Sequence, residues 1–92
     1  MPDTIWVAML DWSRETAHKL STQHGLNAEE VEDAIRFVSG LPFTWDDDPD
    51  LGRRAIVRVT IRRKLYDVVL FPQLQDPFGE TWNLASAYPV NS

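Results

Sequence analysis

The chain has no cysteine, which excludes both a disulfide framework and a thiolate metal site, so packing alone has to hold the fold. A reducing, cytoplasmic setting suits that composition. Long apolar runs are also missing. The stretch Ile5 to Leu10 is too short to cross a membrane or to serve as the core of a secretion signal, and no basic residues precede it. No targeting segment and no membrane partner are expected. The four glycines form no nucleotide-binding pattern. The two histidines, His18 and His24, are six positions apart and do not share a helix face as zinc ligands four apart would. The run Asp46-Asp47-Asp48-Pro49-Asp50 has the content of a calcium loop without its alternating ligands or distal glutamate. No metal and no cofactor are expected.

What is present argues for a folded chain. Apolar residues make up 43% of the 92, with four tryptophans, well outside the profile of disordered sequences. That length holds one hydrophobic core, so residues 1–92 are read as one domain. The net charge of −5 disfavours a polyanion partner until its distribution is considered. Residues 1–52 carry three basic and eleven acidic side chains, a net of −8; residues 53–92 carry six basic and three acidic, a net of +3. All six of the latter cations, Arg53, Arg54, Arg58, Arg62, Arg63 and Lys64, fall within twelve positions.

Asp11 or Ser13 is suited to cap a first helix that runs to His24 and stops at Gly25. Asn27 with Glu30 has the form of a capping box, and Val31, Ala34, Ile35 and Val38 recur at helical spacing, so a second helix is predicted from Ala28 to about Val38. Residues 41–53 read as a loop because aspartate, proline and glycine dominate. From Arg54 the period becomes two, with Ala55, Val57, Val59 and Ile61 on one face and Arg54, Ile56, Arg58, Thr60 and Arg62 on the other. Arg63-Lys64 is read as the turn into a buried central strand, Leu65 to Phe71. A loop follows from Pro72 to Gly79. Thr81 to Tyr88 is read as a third strand with Trp82, Leu84, Ser86 and Tyr88 on one face, ended by Pro89. Ile5 to Leu10 is available as an additional edge strand. The fold class expected is α+β, with two N-terminal helices packed on a three- to four-stranded antiparallel meander.

Arginines four apart on one strand face are about 13 Å from each other, a spacing that can follow a phosphate backbone. The same ribbon also serves as an exposed sheet face blunted against edge pairing, or as a surface for an acidic protein. Tyr66, just after the turn, and Tyr88, at the end of the third strand, are placed to stack on a base or to move a proton, or to sit half-buried in the sheet.

The motifs Asp11-Trp12, Lys19-Leu20, His24-Gly25-Leu26 and Glu29-Glu30-Val31, then the acidic loop Asp46–Asp50, Arg54-Ala55-Ile56-Val57, Lys64-Leu65 with Val68-Val69, and Ala85-Ser86-Ala87 occur in that order. Together they resemble BrnT-type toxins, which belong to the RelE-like toxins. The resemblance spans about residues 11–88. It implies a RelE-like arrangement of helices on an antiparallel sheet and metal-free cleavage of RNA, free or ribosome-bound, neutralised by a cognate antitoxin. Arg54 matches the arginine that opens the family's first long strand, and Lys64, or Arg63 with a one-residue shift, the basic residue of its turn. On the ribonuclease reading Arg54, Arg58 and Lys64 hold the phosphate and Tyr88 or His24 moves the proton, while the ribbon offers Arg53, Arg62, Arg63 and Tyr66 as contacts to RNA or partner. The arginine that follows Ser-Ala in that family is Tyr88 here. A second reading therefore stands beside the ribonuclease: a catalytically silent module of the same fold that docks an acidic antitoxin-like partner through its basic strand. A third is an unrelated α+β domain that shares only the packing.

Overall fold

The computed structural model describes residues 4–50, 52–73 and 79–90, without the Asp48 side chain. Helix α1 covers Arg14–His24. Ser13 caps it, its hydroxyl accepting from the Thr16 backbone N–H at 3.1 Å, and Gly25, in the left-handed region at φ 65°, closes it. The Gly25 and Leu26 N–H groups donate back to the Ser21 and Leu20 carbonyls, which satisfies carbonyls the helix end would otherwise orphan. Helix α2 covers Ala28–Ile35, and the Glu30 carboxylate accepts from the Asn27 N–H at its start. It stops three residues before Val38. The cause lies outside the helix: the Arg36 Nε–H donates to the Ala8 carbonyl at 2.8 Å and the Phe37 N–H to Val7 at 2.9 Å, which draws Arg36 into extended backbone and Phe37 to φ 61°.

The sheet has six strands among the described residues, not three or four. They are β1 (Thr4–Ile5), β2 (Met9–Asp11), β3 (Leu41–Asp48), β4 (Gly52–Ile61), β5 (Lys64–Pro72) and β6 (Thr81–Pro89), in the spatial order β1-β3-β4-β5-β6-β2. The antiparallel meander is corrected as well, because β2 pairs parallel to β6. Mixed helix and sheet content agrees with expectation; the RelE-like three- to four-stranded arrangement does not.

Three local departures account for the difference. The aspartate-rich stretch expected as loop is mostly strand: β3 runs antiparallel to β4, with Asp46 opposite Arg54 and Asp47 opposite Arg53. Facing cations compensate an acidic run that local propensity rejects. The hairpin turn is Arg62-Arg63, not Arg63-Lys64. Both residues have positive φ, 52° and 67°, as a two-residue type I′ turn demands, and Lys64 already pairs with Ile61. Finally, Ser86 pairs with Val69 and Leu84 with Leu70, so Ala85 is an extra residue. This bulge reverses the alternation: Trp82, Leu84 and Ala87 are buried while Tyr88 faces out, so Tyr88 does not share a face with Trp82.

Ile5 to Leu10 contributes to both edges of the sheet, through β1 on β3 and β2 on β6. Four steps from Ile5 to Met9 span at most about 14 Å, so the sheet must curl. Trp45 on β3 and Trp82 on β6 record that curl, their ring centroids only 6.2 Å apart, although four flat adjacent strands would separate them by about 14 Å. The concave face holds the core, in which Leu20, Leu26, Val31 and Ile35 of the helical segment pack against Val57, Val59, Val68, Leu70 and Leu84. The convex face carries Arg54, Ile56, Arg58 and Thr60. Of the Pro72–Gly79 loop, residues 74–78 lie outside the described residues.

Candidate basic interface

The strand pairing that builds the basic ribbon also neutralises most of it. Arg54 is bonded to Asp46, with Nε to Oδ2 at 2.6 Å. Arg58 reaches across to Asp67 on β5 with two bonds, 3.0 and 3.3 Å, and that hydrogen bonding raises its pKa above the ordinary arginine value. Arg53 lies 3.8 Å from Asp47, and its guanidinium stacks on the Trp45 ring at 5.0 Å. A bidentate carboxylate satisfies the fork that a phosphate would otherwise take.

Arg62 is held in a different way. From the turn it reaches back to the helices, forking onto both oxygens of Glu30 and donating to the Gly25 carbonyl at 3.0 Å. These hydrogen bonds raise its pKa and hold the Glu30 carboxyl below its usual range. Arg62 therefore does not extend the Arg54–Arg58 row, as alternation alone predicts, because the left-handed turn redirects it. Tyr66 is corrected in the same sense: it sits opposite Val59 on the core side, 5% exposed, and cannot stack on a ligand of the convex face. Arg63 and Lys64 form no ion pair among the described residues, and both are exposed. Lys64 pairs with Ile61 and so lies on the core-side face at its end, while two large exposed side chains, Leu65 (48%) and Tyr88 (51%), lie on the convex face at the same end of the sheet. Asp67 faces Tyr88 and the Val90 N–H donates to the Leu65 carbonyl, so Leu65 and Tyr88 are diagonal neighbours on one face, within reach of a single partner.

His24 and Tyr88 do come together. Helix α1 ends with the His24 ring edge-on to Tyr88 at 6.2 Å, and the buried His24 Nε2 has no hydrogen-bond partner among the described residues. Arg58, Asp67 and Tyr88 form one cross-strand row with His24 beyond it. Arg54 lies at the far end of β4 and Lys64 at the turn, so the five candidate catalytic residues do not converge on one point. Among the described residues no three His, Asp or Glu side chains gather as a metal site requires, and no helix is long and apolar enough to cross a membrane.

The counterions Asp46, Asp67 and Glu30 are the participants that residue-by-residue reading missed. A signal for two pairs was present: Asp46-Asp47 and Arg53-Arg54 are mirror images about position 50, a hairpin signature written in charge. A groove of about 840 Å³ at the other end of the sheet, lined in part by Trp12, Phe71, Gln73 and Asn83, gave no such signal, since its walls come from five separate elements. Gln73 ties it together by donating to Asp11 at 2.7 Å and Asn83 at 2.8 Å.

Comparison with protein-family models, curated proteins and solved structures finds no match for this chain.

Proposed function

We propose that the protein is a non-catalytic binding module that docks an acidic segment of a cytoplasmic partner protein at the tip of the β4–β5 hairpin. The observation that carries this reading is the contrast along the ribbon. Four of its six cations are engaged by the chain's own carboxylates, while Arg63 and Lys64 are exposed at the hairpin tip, the end of the sheet that also exposes Leu65 and Tyr88. Two unengaged cations at the same end of the sheet as a small apolar-aromatic patch suit a protein surface, where arginine and tyrosine are enriched among the residues that dominate binding energy. A long phosphate backbone needs a row of such cations. The turn adds support. Asn-Gly would satisfy its φ angles without strain; Arg62 is compensated by Glu30, whereas nothing within the described fold rewards Arg63 for φ 67°. Strain retained without structural return points to a use outside the fold. The resemblance to BrnT-type toxins supports an antitoxin-like partner, the product of an adjacent gene.

Co-purification with that product tests the reading. Arg63→Glu with Lys64→Glu is expected to weaken binding at least tenfold, and unchanged binding would refute it. The ribonuclease reading is favoured by one feature, the His24–Tyr88 contact next to Arg58. Cleavage of RNA by the purified protein, abolished in His24→Gln and Tyr88→Phe, would replace the docking reading.

A further inference from the structure

The convex face raises a question that the hairpin tip leaves open: why a strand so rich in arginine lies opposite an aspartate at its middle. Asp67 is the one acidic residue of β5. It faces Arg58 on one side and Tyr88 on the other, midway between the ribbon and the docking patch. Its two oxygens take both the Nε and the Nη2 hydrogens of Arg58, the same pair of donors with which an arginine clamps a phosphate. The pair is partly solvent-exposed, with the Arg58 side chain 58% and the Asp67 side chain 31% accessible, so the sheet itself gains only modestly from it.

Resting on the docking reading above, we propose that Asp67 is a specificity-determining residue: its carboxylate occupies the Arg58 guanidinium and keeps nucleic-acid phosphates off the convex face, leaving the hairpin tip to a protein partner. The logic is rejection of the wrong ligand rather than attraction of the right one. An acidic protein segment needs only the few cations at the tip. A polynucleotide gains affinity in proportion to the number of cations its phosphates meet, and each contact must outcompete whatever anion is already there. Placing the carboxylate on Arg58 removes a cation that shares the convex face with the Leu65–Tyr88 patch, one strand from Leu65. Without it, a free Arg58 on the Tyr88 face would add to Arg63 and Lys64 at the tip, and cations with an exposed aromatic ring are a combination that single-stranded nucleic acid favours.

Counterion release gives the proposal numbers. Each phosphate neutralised on a single strand contributes a slope of about 0.7 in log affinity against log salt. With Arg63 and Lys64 alone, the wild-type slope towards a uridine 20-mer is about 1.4, and Asp67→Asn raises it to about 2.1. At 0.1 M salt the added 0.7 corresponds to about fivefold tighter binding, referred to 1 M. The experiment is a fluorescence-anisotropy titration of labelled uridine 20-mer against wild type, Asp67→Asn and Asp67→Ser across a salt series. Circular dichroism confirms that the variants fold; two substitutions of different size guard against the loss of one.

The expected result is a steeper slope and tighter RNA binding in both variants, or measurable binding in the variants where wild type shows none. A wild-type slope of about 2.8 or more would overturn the proposal, since four cations would then reach phosphate with Asp67 in place. Unchanged affinity and slope in both variants, or no RNA binding by any of the three, would overturn it equally. The docking reading fails separately: it falls if charge reversal at Arg63 and Lys64 leaves the protein partner bound, whatever Asp67 does to RNA.

Discussion

Arg62 makes three hydrogen bonds from a backbone conformation that arginine seldom adopts, and in doing so it joins three pieces of chain that have no contact in sequence. Its guanidinium meets the carbonyl that follows α1 and the carboxylate that opens α2. Glu30 in turn accepts from the Asn27 N–H. The lowered Glu30 pKa makes this joint sensitive to acid in a definite direction. In the folded protein Glu30 titrates below its unfolded value of 4.5, so the unfolded chain takes up the proton first. The stabilisation is therefore fully present above about pH 5 and is lost as pH falls through the lowered folded value. Thermal melts of wild type and Glu30→Gln between pH 7 and pH 3 should show a gap in melting temperature that is largest near neutrality and closes towards pH 3. A gap independent of pH would mean that the substitution acts only through the helix cap.

At the scale of elements, the hairpin turn gives the cleanest comparison. Both turn residues have left-handed backbone, yet only Arg62 is compensated by side-chain bonds. Arg63→Gly removes a conformational cost without removing a contact among the described residues, and it should stabilise the fold by about 0.5–1 kcal/mol. Arg62→Gly gains the same backbone ease and loses the bonds to Glu30 and Gly25, so it should be destabilising on balance. Urea denaturation of the two variants separates them by sign. The elements also show where sequence was sufficient. Both helix starts, the Gly25 stop and the β4 alternation were legible, because each is set by side chains within four positions. The end of α2, the acidic strand β3 and the bulge at Ala85 were not, because each depends on a partner elsewhere: Val7 and Ala8 for Arg36 and Phe37, Arg53 and Arg54 for the aspartates, and β5 for the bulge. The candidate site divides in the same way. The cations were visible in sequence, whereas their carboxylate partners across the hairpins appear only once the strands are in register.

For the whole molecule, the decisive fact is that one six-residue stretch, Ile5 to Leu10, contributes to both outer strands, and this forces the sheet around its helices. The closure is sealed by tryptophans with unequal shares in it. Trp82 is 5% exposed, touches Trp45 and donates its indole N–H to the Trp6 carbonyl at 3.3 Å, so it binds β6 to the linker between the two edges as well as to β3. Trp45, on the face of Ala55, is 41% exposed and packs on Phe43 and Arg53. Truncating a buried aromatic forfeits both transfer free energy and packing, about 3–5 kcal/mol, which is a large part of the stability of a domain this size. Trp82→Ala should thus approach global unfolding at room temperature. Trp45→Ala loses half-exposed area and should cost about 1–2 kcal/mol. Calorimetry measures both. If curl rather than local packing is what Trp82 secures, Trp82→Phe should recover most of the stability, since a ring still bridges the gap although the bond to Trp6 and part of the indole's packing are gone. Comparable losses from Trp45→Ala and Trp82→Ala would instead place the closure in the strand pairings of β1 and β2.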